Sequence, residues 1–332
     1  VTIEIREIDP SDEAALRAWW EVGAAATAER PGHPWPRWEV SRTALPADNP
    51  ERDTVFLGAF DGDRMVASAL LLAPVQENLH TAVLDVYVPP PRRRDGLGTL
   101  LLAEGESRAT ALGRTTLQAE GYVPPGETGP AEQFALARGF VVASREGFKE
   151  LALASYAARR PALVASVGSR ANDYTVVTFD TVCPDEHVES FGRLLGMLIS
   201  EIPLGDLDLE DSEWTPERLR AAEQRQVDIG RHVLTALAIA PDGSVAGSSD
   251  VRVNDADPTH GQVGITLVDP AHRGHRLGLA LKVATHDLLV ATYPQCATVD
   301  TCNAEVNTHM NAVNEALGYR SIETLLELQK VL

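Results

Sequence analysis

Two stretches of this 332-residue chain hold residue types that suit an anion. The first runs Val86-Tyr87-Val88-Pro89-Pro90-Pro91-Arg92-Arg93-Arg94-Asp95-Gly96-Leu97-Gly98-Thr99. The second runs Thr266-Leu267-Val268-Asp269-Pro270-Ala271-His272-Arg273-Gly274-His275-Arg276-Leu277-Gly278. In each, an apolar run of strand character meets proline, and a loop of arginine and glycine opens a helical pattern. A helix start has up to four amides without intrahelical partners and a partial positive charge. Glycine lets that backbone approach a ligand closely, so strand, loop and helix with flanking arginines form a cradle for a pyrophosphate. A second constellation is Asn303, Asn307, Asn311 and Asn314, amides crowded into a helical pattern where asparagine is unfavourable. Asn303 and Asn307 suit capping of that helix, whereas capping leaves Asn311 and Asn314 unexplained.

The two loops resemble the acetyl-CoA-binding signature of the GCN5-related N-acetyltransferases (GNAT), Gln/Arg-x-x-Gly-x-Gly/Ala. The first matches it as Arg93-x-x-Gly96-x-Gly98. The second keeps Arg273 and Gly278 but has Arg276 at the middle glycine, with Gly274 nearby. An arginine there is tolerable if φ is negative, since its amide is still available. The resemblance implies a twisted mixed sheet that splays after its fourth strand, with the pantetheine arm of acetyl-CoA in the opening. By position, Val86, Tyr87 and Val88, and in the second copy Thr266, Leu267 and Val268, would flank the pantetheine. Arg93, Arg94, Gly96, Gly98 and Thr99, with Arg273, Gly274, His275, Arg276, Leu277 and Gly278, would surround the pyrophosphate. Asn303, Asn307 and Asn311 would assist in holding the arm. Lys282, one turn into the second helix, reads as a solvated lysine.

The resemblance also implies the chemistry: a neutral amine attacks the thioester, a backbone amide stabilises the oxyanion, and an acid protonates the leaving thiolate. Because an alkylammonium has a pKa near 10.4, a base must remove its proton. Many family members place a tyrosine acid four residues before a closing Gly-Phe. Here Ala135 and Asn314 hold those positions, ahead of Gly139-Phe140 and Gly318-Tyr319. Glu305, His309 and Asn314 are therefore the catalytic candidates of the second copy, with Asp300 and Cys302 beside them and Glu120 in the first. The acceptor segment of the second copy, Glu201 to Glu213, is acidic; that of the first holds His33, Trp35 and Trp38. An acidic rim suits a cationic amine. The expectation is an N-acetyltransferase acting on the primary amine of a small molecule, with catalysis in the second copy, whose first copy offers few polar groups near the thioester. The alternative is an acyl-CoA-binding sensor without turnover.

The elements that carry these residues recur. Asp61-Gly62 returns as Asp242-Gly243 at an offset of 181, Pro90, Arg93 and Gly98 return at 180, and Gly139-Phe140 as Gly318-Tyr319 at 179. A period that long marks a duplicated domain. In copy one, Thr2 to Ile8 reads as an edge strand, Asp12 starts an alanine-rich helix, and strands flank Asp61-Gly62-Asp63 as a hairpin. Ala82 to Val88, Gly96 to Leu112, Thr115 to Glu120 and Pro130 to Arg138 follow as strand, helix, strand and helix. Copy two repeats the order from Tyr174, with Thr215-Pro216 starting an extra helix. The fold class is α/β, two tandem GNAT-like domains of twisted mixed sheet flanked by helices: residues 1–155 and 172–332, joined by a linker over 156–171.

Composition bounds the reading. Apolar residues make up 44% and charged residues 23%, as in an ordinary folded protein. The net charge of −19 opposes nucleic-acid binding. Cys183, Cys296 and Cys302 lack CxxC spacing, so neither a disulfide framework nor a metal site is expected. No apolar run is long enough to span a membrane and no signal peptide is visible. A cytoplasmic monomer or homodimer is the expectation, with no nucleic-acid or membrane partner.

Overall fold

The computed structural model describes residues 3–171 and 173–332, with the backbone alone for Ser169. In chain order the elements are β1 (Ile3–Ile8), α1 (Glu13–Thr27), α2 (Trp38–Ala44), β2 (Arg52–Asp61), β3 (Arg64–Pro74), β4 (Thr81–Tyr87), α3 (Leu97–Ala111), β5 (Thr116–Val123), α4 (Pro130–Leu136) and β6 (Val141–Ala152). They continue as α5 (Leu153–Val167), β7 (Thr175–Asp180), α6 (Val188–Gly196), α7 (Leu198–Glu201), α8 (Pro216–Asp228) and β8 (Arg231–Ile239). The chain closes with β9 (Val245–Asn254), β10 (Asp257–Val268), α9 (Leu277–Thr292), β11 (Thr298–Ala304), α10 (Thr308–Leu317) and β12 (Arg320–Val331). Of the expected first strand, Thr2 lies outside the described residues, as does Asn172 at the start of the second expected domain.

Two compact units result. The first comprises Val1–Arg145, Gly205–Asp208 and Thr324–Leu332, the second Glu146–Leu204 and Leu209–Glu323. The first sheet runs β1-β2-β3-β4-β5 and is completed by β12, whose Thr324–Val331 pair antiparallel with Val123–Thr116. The second runs β7-β8-β9-β10-β11 and is completed by β6, whose Glu146–Ala152 pair with Ala304–Thr298. Each copy thus gives its last strand to the other's sheet, and the boundary falls at Arg145/Glu146 instead of at 155. The expected linker also takes regular form: most of it lies in α5, which buries Tyr156 and Leu163 in the second unit's core. Its apolar spacing is broken by Arg159-Arg160-Pro161, which hid the helix from periodicity.

Helices cover both faces of each sheet. In the first unit, the Asp12 carboxylate caps α1 by accepting the Ala14 and Ala15 amides. Leu16 and Trp19 then pack on Ile8 and Phe56, while α3 sets Leu97, Leu101 and Leu102 against Leu84 and Leu117 on the other face. Each such fully buried side chain contributes about 1.5–3 kcal/mol. The second unit repeats this with α6 on one face and α9 on the other. Thr215 caps α8 by accepting the Arg218 amide at 3.2 Å, as the Thr-Pro signal predicts.

The parallel pair at the centre of each sheet is short. β4 and β5 pair only from Thr81/Thr116 to Val83/Gln118, and β10 and β11 only from His260/Thr298 to Gln262/Asp300. Beyond those residues no ladder joins the strands, so each sheet splays where the loop after its fourth strand begins.

Candidate functional site

At each splay, the loop opening the long helix has the same backbone. Residues 94 and 96 have φ of +72° and +85°; residues 274 and 276 have +89° and +56°. The loop needs two left-handed residues, and each copy supplies one glycine and one arginine in opposite order. Arg276 therefore lacks the negative φ that would make an arginine tolerable there without strain. Gly274 accommodates one of the two left-handed positions, and Arg276 carries the strain at the other, about 1–2 kcal/mol for a side-chain-bearing residue. The Arg276 guanidinium donates to the Ser166 carbonyl at 2.8 Å, which offsets part of that cost.

Among the described residues, no backbone carbonyl accepts from the amides of 94–98 or of 274–278. The Cβ positions of Gly96 and Gly274 face open space. Amides without carbonyl partners at a helix start, with open space beside Gly96 and Gly274, suit a pyrophosphate. The signature arginines are tied to neighbouring segments. Arg93 pairs with Glu29 at 3.3 Å and donates to the Ala26 carbonyl at 3.2 Å, and Arg273 pairs with Glu201. Their side chains brace the loop, which leaves its backbone amides as the groups open to an anion. Thr99 accepts a hydrogen bond from Arg138 at 2.6 Å, so its hydroxyl too is engaged.

The first unit's splay is polar. Asp85 stands half-buried on β4 beside Tyr87, across from Glu120 and Tyr122 on β5. Burial, then the Glu120 charge, push the Asp85 carboxyl up to about 7. The Tyr122 hydroxyl donates to Glu120 at 2.6 Å, and Arg30 lies 3.4 Å over the Tyr122 ring. Tyr87 stacks edgewise on Trp35 (4.9 Å) and Trp19 (5.9 Å), placing the aromatic segment after α1 beside the carboxylates. The expectation of few polar groups here is overturned. Its signal was an acid interrupting the apolar run Ala82-Val83-Leu84-Asp85-Val86.

Comparisons with known proteins agree with this geometry. Residues 18–140 match the acetyltransferase (GNAT) family model. A tandem GNAT protein from the clavulanic acid biosynthesis pathway is 26% identical, with a TM-score of 0.81 over 99% of this chain and 98% of its own. The first unit carries a GNAT domain, and the whole chain has the fold of a tandem GNAT protein. A GCN5-related N-acetyltransferase from Sphaerobacter thermophilus, 18% identical, shares the fold at a TM-score of 0.63 over 99% of this chain and 95% of its own. No curated protein matches the sequence. No helix among the described residues is long and apolar enough to cross a membrane.

The second unit is built differently at its splay. Asp250 accepts the Ile265 amide at 2.8 Å and holds a bulge in β10 between Val263 and Thr266. Gly264 is required there, since a Cβ would fall 2.1 Å from the Asp250 carboxylate. Thr266 shares a hydrogen bond with Ser249 at 2.9 Å, Leu267 is buried, and Val268 packs towards α9. His275 meets the Arg170 carbonyl at 3.2 Å, and Asp300 is buried against His260 at 3.0 Å.

Of the candidate catalytic residues, Glu305 and His309 are exposed, whereas Asn314 is fully buried. The structure does not bring the three together. Asn307 caps α10 by accepting the Met310 amide at 3.1 Å. Asn303, Asn311 and Asn314 do assemble: Asn314 donates to Asn303 and Asn303 to Asn311, both at 2.8 Å. Lys282 is not solvated. It is 1% exposed, donates to Asn314 at 2.8 Å and lies 5.2 Å over the Tyr319 ring. Burial, then the nearby Lys149, bring its ammonium down to about 7.

The acidic segment after α7 is divided between units. Gly205–Asp208 pack with the first unit, where Asp206 donates its amide to the Ala143 carbonyl at 2.9 Å and Asp208 to Gln329 at 2.9 Å. Asp206 and Asp208 thus leave the second unit, whereas Glu201, Glu210, Asp211 and Glu213 stay with it.

Proposed function

We propose that the chain is an N-acetyltransferase that moves acetyl from acetyl-CoA to the primary amine of a small molecule, with the reaction in the N-terminal unit. The observation that carries this reading is Asp85, a carboxyl pushed up to about 7 inside the splay, beside a pyrophosphate cradle. Acetyl-CoA, when bound, supplies an activated acyl carbon and a thiol leaving group. The amides of 94–98 hold its pyrophosphate, and the strand end Val86–Val88 flanks its arm. Asp85 and Glu120 hold the ammonium of the acceptor, and Asp85 takes its proton as the nitrogen attacks. A base near 7 is matched to neutral pH. The tyrosine absent at Ala135 leaves Tyr87 and Tyr122 as the hydroxyls nearest the reacting centre. The aromatic wall of Trp35 and Tyr87 beside two acids suits a cation with an apolar body.

This places catalysis in the opposite copy from the one the asparagines and the acidic segment suggested. A small-molecule acceptor also accords with a net charge of −19, which disfavours a polyanion. Binding of acyl-CoA without an external acceptor is the reading that buried Asn314 favours for the C-terminal unit. Calorimetric titration with acetyl-CoA, with Arg93→Glu and Arg273→Glu in parallel, tests both. Each variant is expected to lose one binding event; no heat from the folded wild type would overturn the reading.

A further inference from the structure

The chain contains only three lysines against 26 arginines. Lys330 pairs with Glu106 in the N-terminal unit, and the other two meet in one buried cluster of the C-terminal unit. Arginine cannot lose its proton in a protein, whereas lysine can, so a chain that otherwise uses arginine has placed lysine where an amine is needed. Lys149 lies on β6 opposite Thr301, the first β11 residue beyond the ladder that ends at Asp300. Its Nζ donates to Asn303 at 2.8 Å and to the Gly147 carbonyl at 3.3 Å. Gly147 leaves room for that amine, since a Cβ there would sit 2.8 Å from Nζ.

The N-terminal unit has nothing comparable. Leu102 and Ala135 stand at the positions of Lys282 and Asn314 by the offset of the duplication. Leu328 stands opposite Ala119 as Lys149 stands opposite Thr301. All three are packed in its apolar core. A buried amine in their place costs stability, and such groups concentrate at working sites.

We propose that Lys149 is a self-acylation site, taking the acyl group of a coenzyme A thioester held on the Arg273–Gly278 loop. This rests on the reading of that loop as a cradle. The neutral Nζ attacks the thioester carbonyl, the C–N bond forms and the C–S bond breaks. The thiolate leaves with the proton the nitrogen gives up, so an amide and a free thiol result. Burial lowers the Lys149 ammonium towards the neutral form, against Cys302, Glu146, Glu305 and Glu315, which favour the charge. Lys149 is 8% exposed, opposite the first β11 residue beyond the parallel ladder, whereas Lys282 at 1% is closed off. Acylation removes one of two neighbouring cations, so the product is relieved of repulsion from Lys282.

The test incubates the full chain with acetyl-CoA, follows intact mass and maps modified peptides, with calorimetry on the same preparations. The expected result is one added acetyl group at Lys149, formed ahead of any at Lys330. Lys149→Arg should keep the Arg273-sensitive binding heat and gain no acetyl group at that position, and Arg273→Glu should lose both. Arg273-sensitive binding with Lys149 unmodified overturns the proposal and leaves the cradle standing. Absence of such binding removes the cradle, and an adduct that survives Arg273→Glu is adventitious chemistry; either result overturns the proposal.

Discussion

Asp85 is a single acid in an apolar strand, and its environment decides its chemistry. Replacement by Asn should lower kcat/KM by about 10²–10⁴-fold, the usual scale for a general base, while acetyl-CoA binding by calorimetry persists. The base works ionised and its pKa is raised, so activity should climb with pH through about 7. Glu120→Gln removes the charge that raises it and should move that midpoint to lower pH in a rate profile. In the cradle, Gly96→Ala should cost about 1–2 kcal/mol in urea unfolding, because Gly96 has φ of +85°. The arginine–glycine loop at the head of each long helix was legible in the sequence because its signals are local. Asp85 was overlooked because a pKa depends on neighbours across the splay, and Lys282 because one lysine in a helix says nothing of what covers it.

At the scale of elements, the duplication and the order of strands, hairpins and helices in each copy could be read from turns and periodicity. The strand exchange could not. The apolar residues of β6 and β12 mark buried strands, but the partner of β12 lies some two hundred residues earlier in the chain. Neighbours in sequence usually neighbour in space, and here they do not. Ending the chain after Glu323 should therefore expose β5 and unfold the N-terminal unit, although the deleted residues follow the second copy. Residues 1–155 expressed alone should fail to fold for the same reason. Limited proteolysis and thermal unfolding check both, and a cooperative transition in either fragment would contradict the exchange.

For the whole molecule, the buried bases of the C-terminal unit link stability to pH. Burial, then Lys282, hold His286 down to about 3, with its ring between the Lys282 carbonyl and the Tyr319 hydroxyl. The unfolded chain then binds the extra proton between about pH 6.5 and 3, so stability falls as pH drops through that window. Lys282, at about 7, binds fewer protons than in the unfolded chain up to about pH 10.4, so stability rises with pH over that range. Each group contributes a slope of up to about 1.4 kcal/mol per pH unit, and Lys282→Met should flatten the alkaline limb in urea titrations. Two units of one descent thus differ in where they set their charges: carboxylates at an open splay in the first, buried amines in the second. The most direct test of that division is thiol release from acetyl-CoA across a panel of primary amines, comparing wild type with Asp85→Asn. Amine-dependent release that the substitution abolishes places the reaction in the N-terminal unit; release that survives it, or none from wild type, contradicts the assignment.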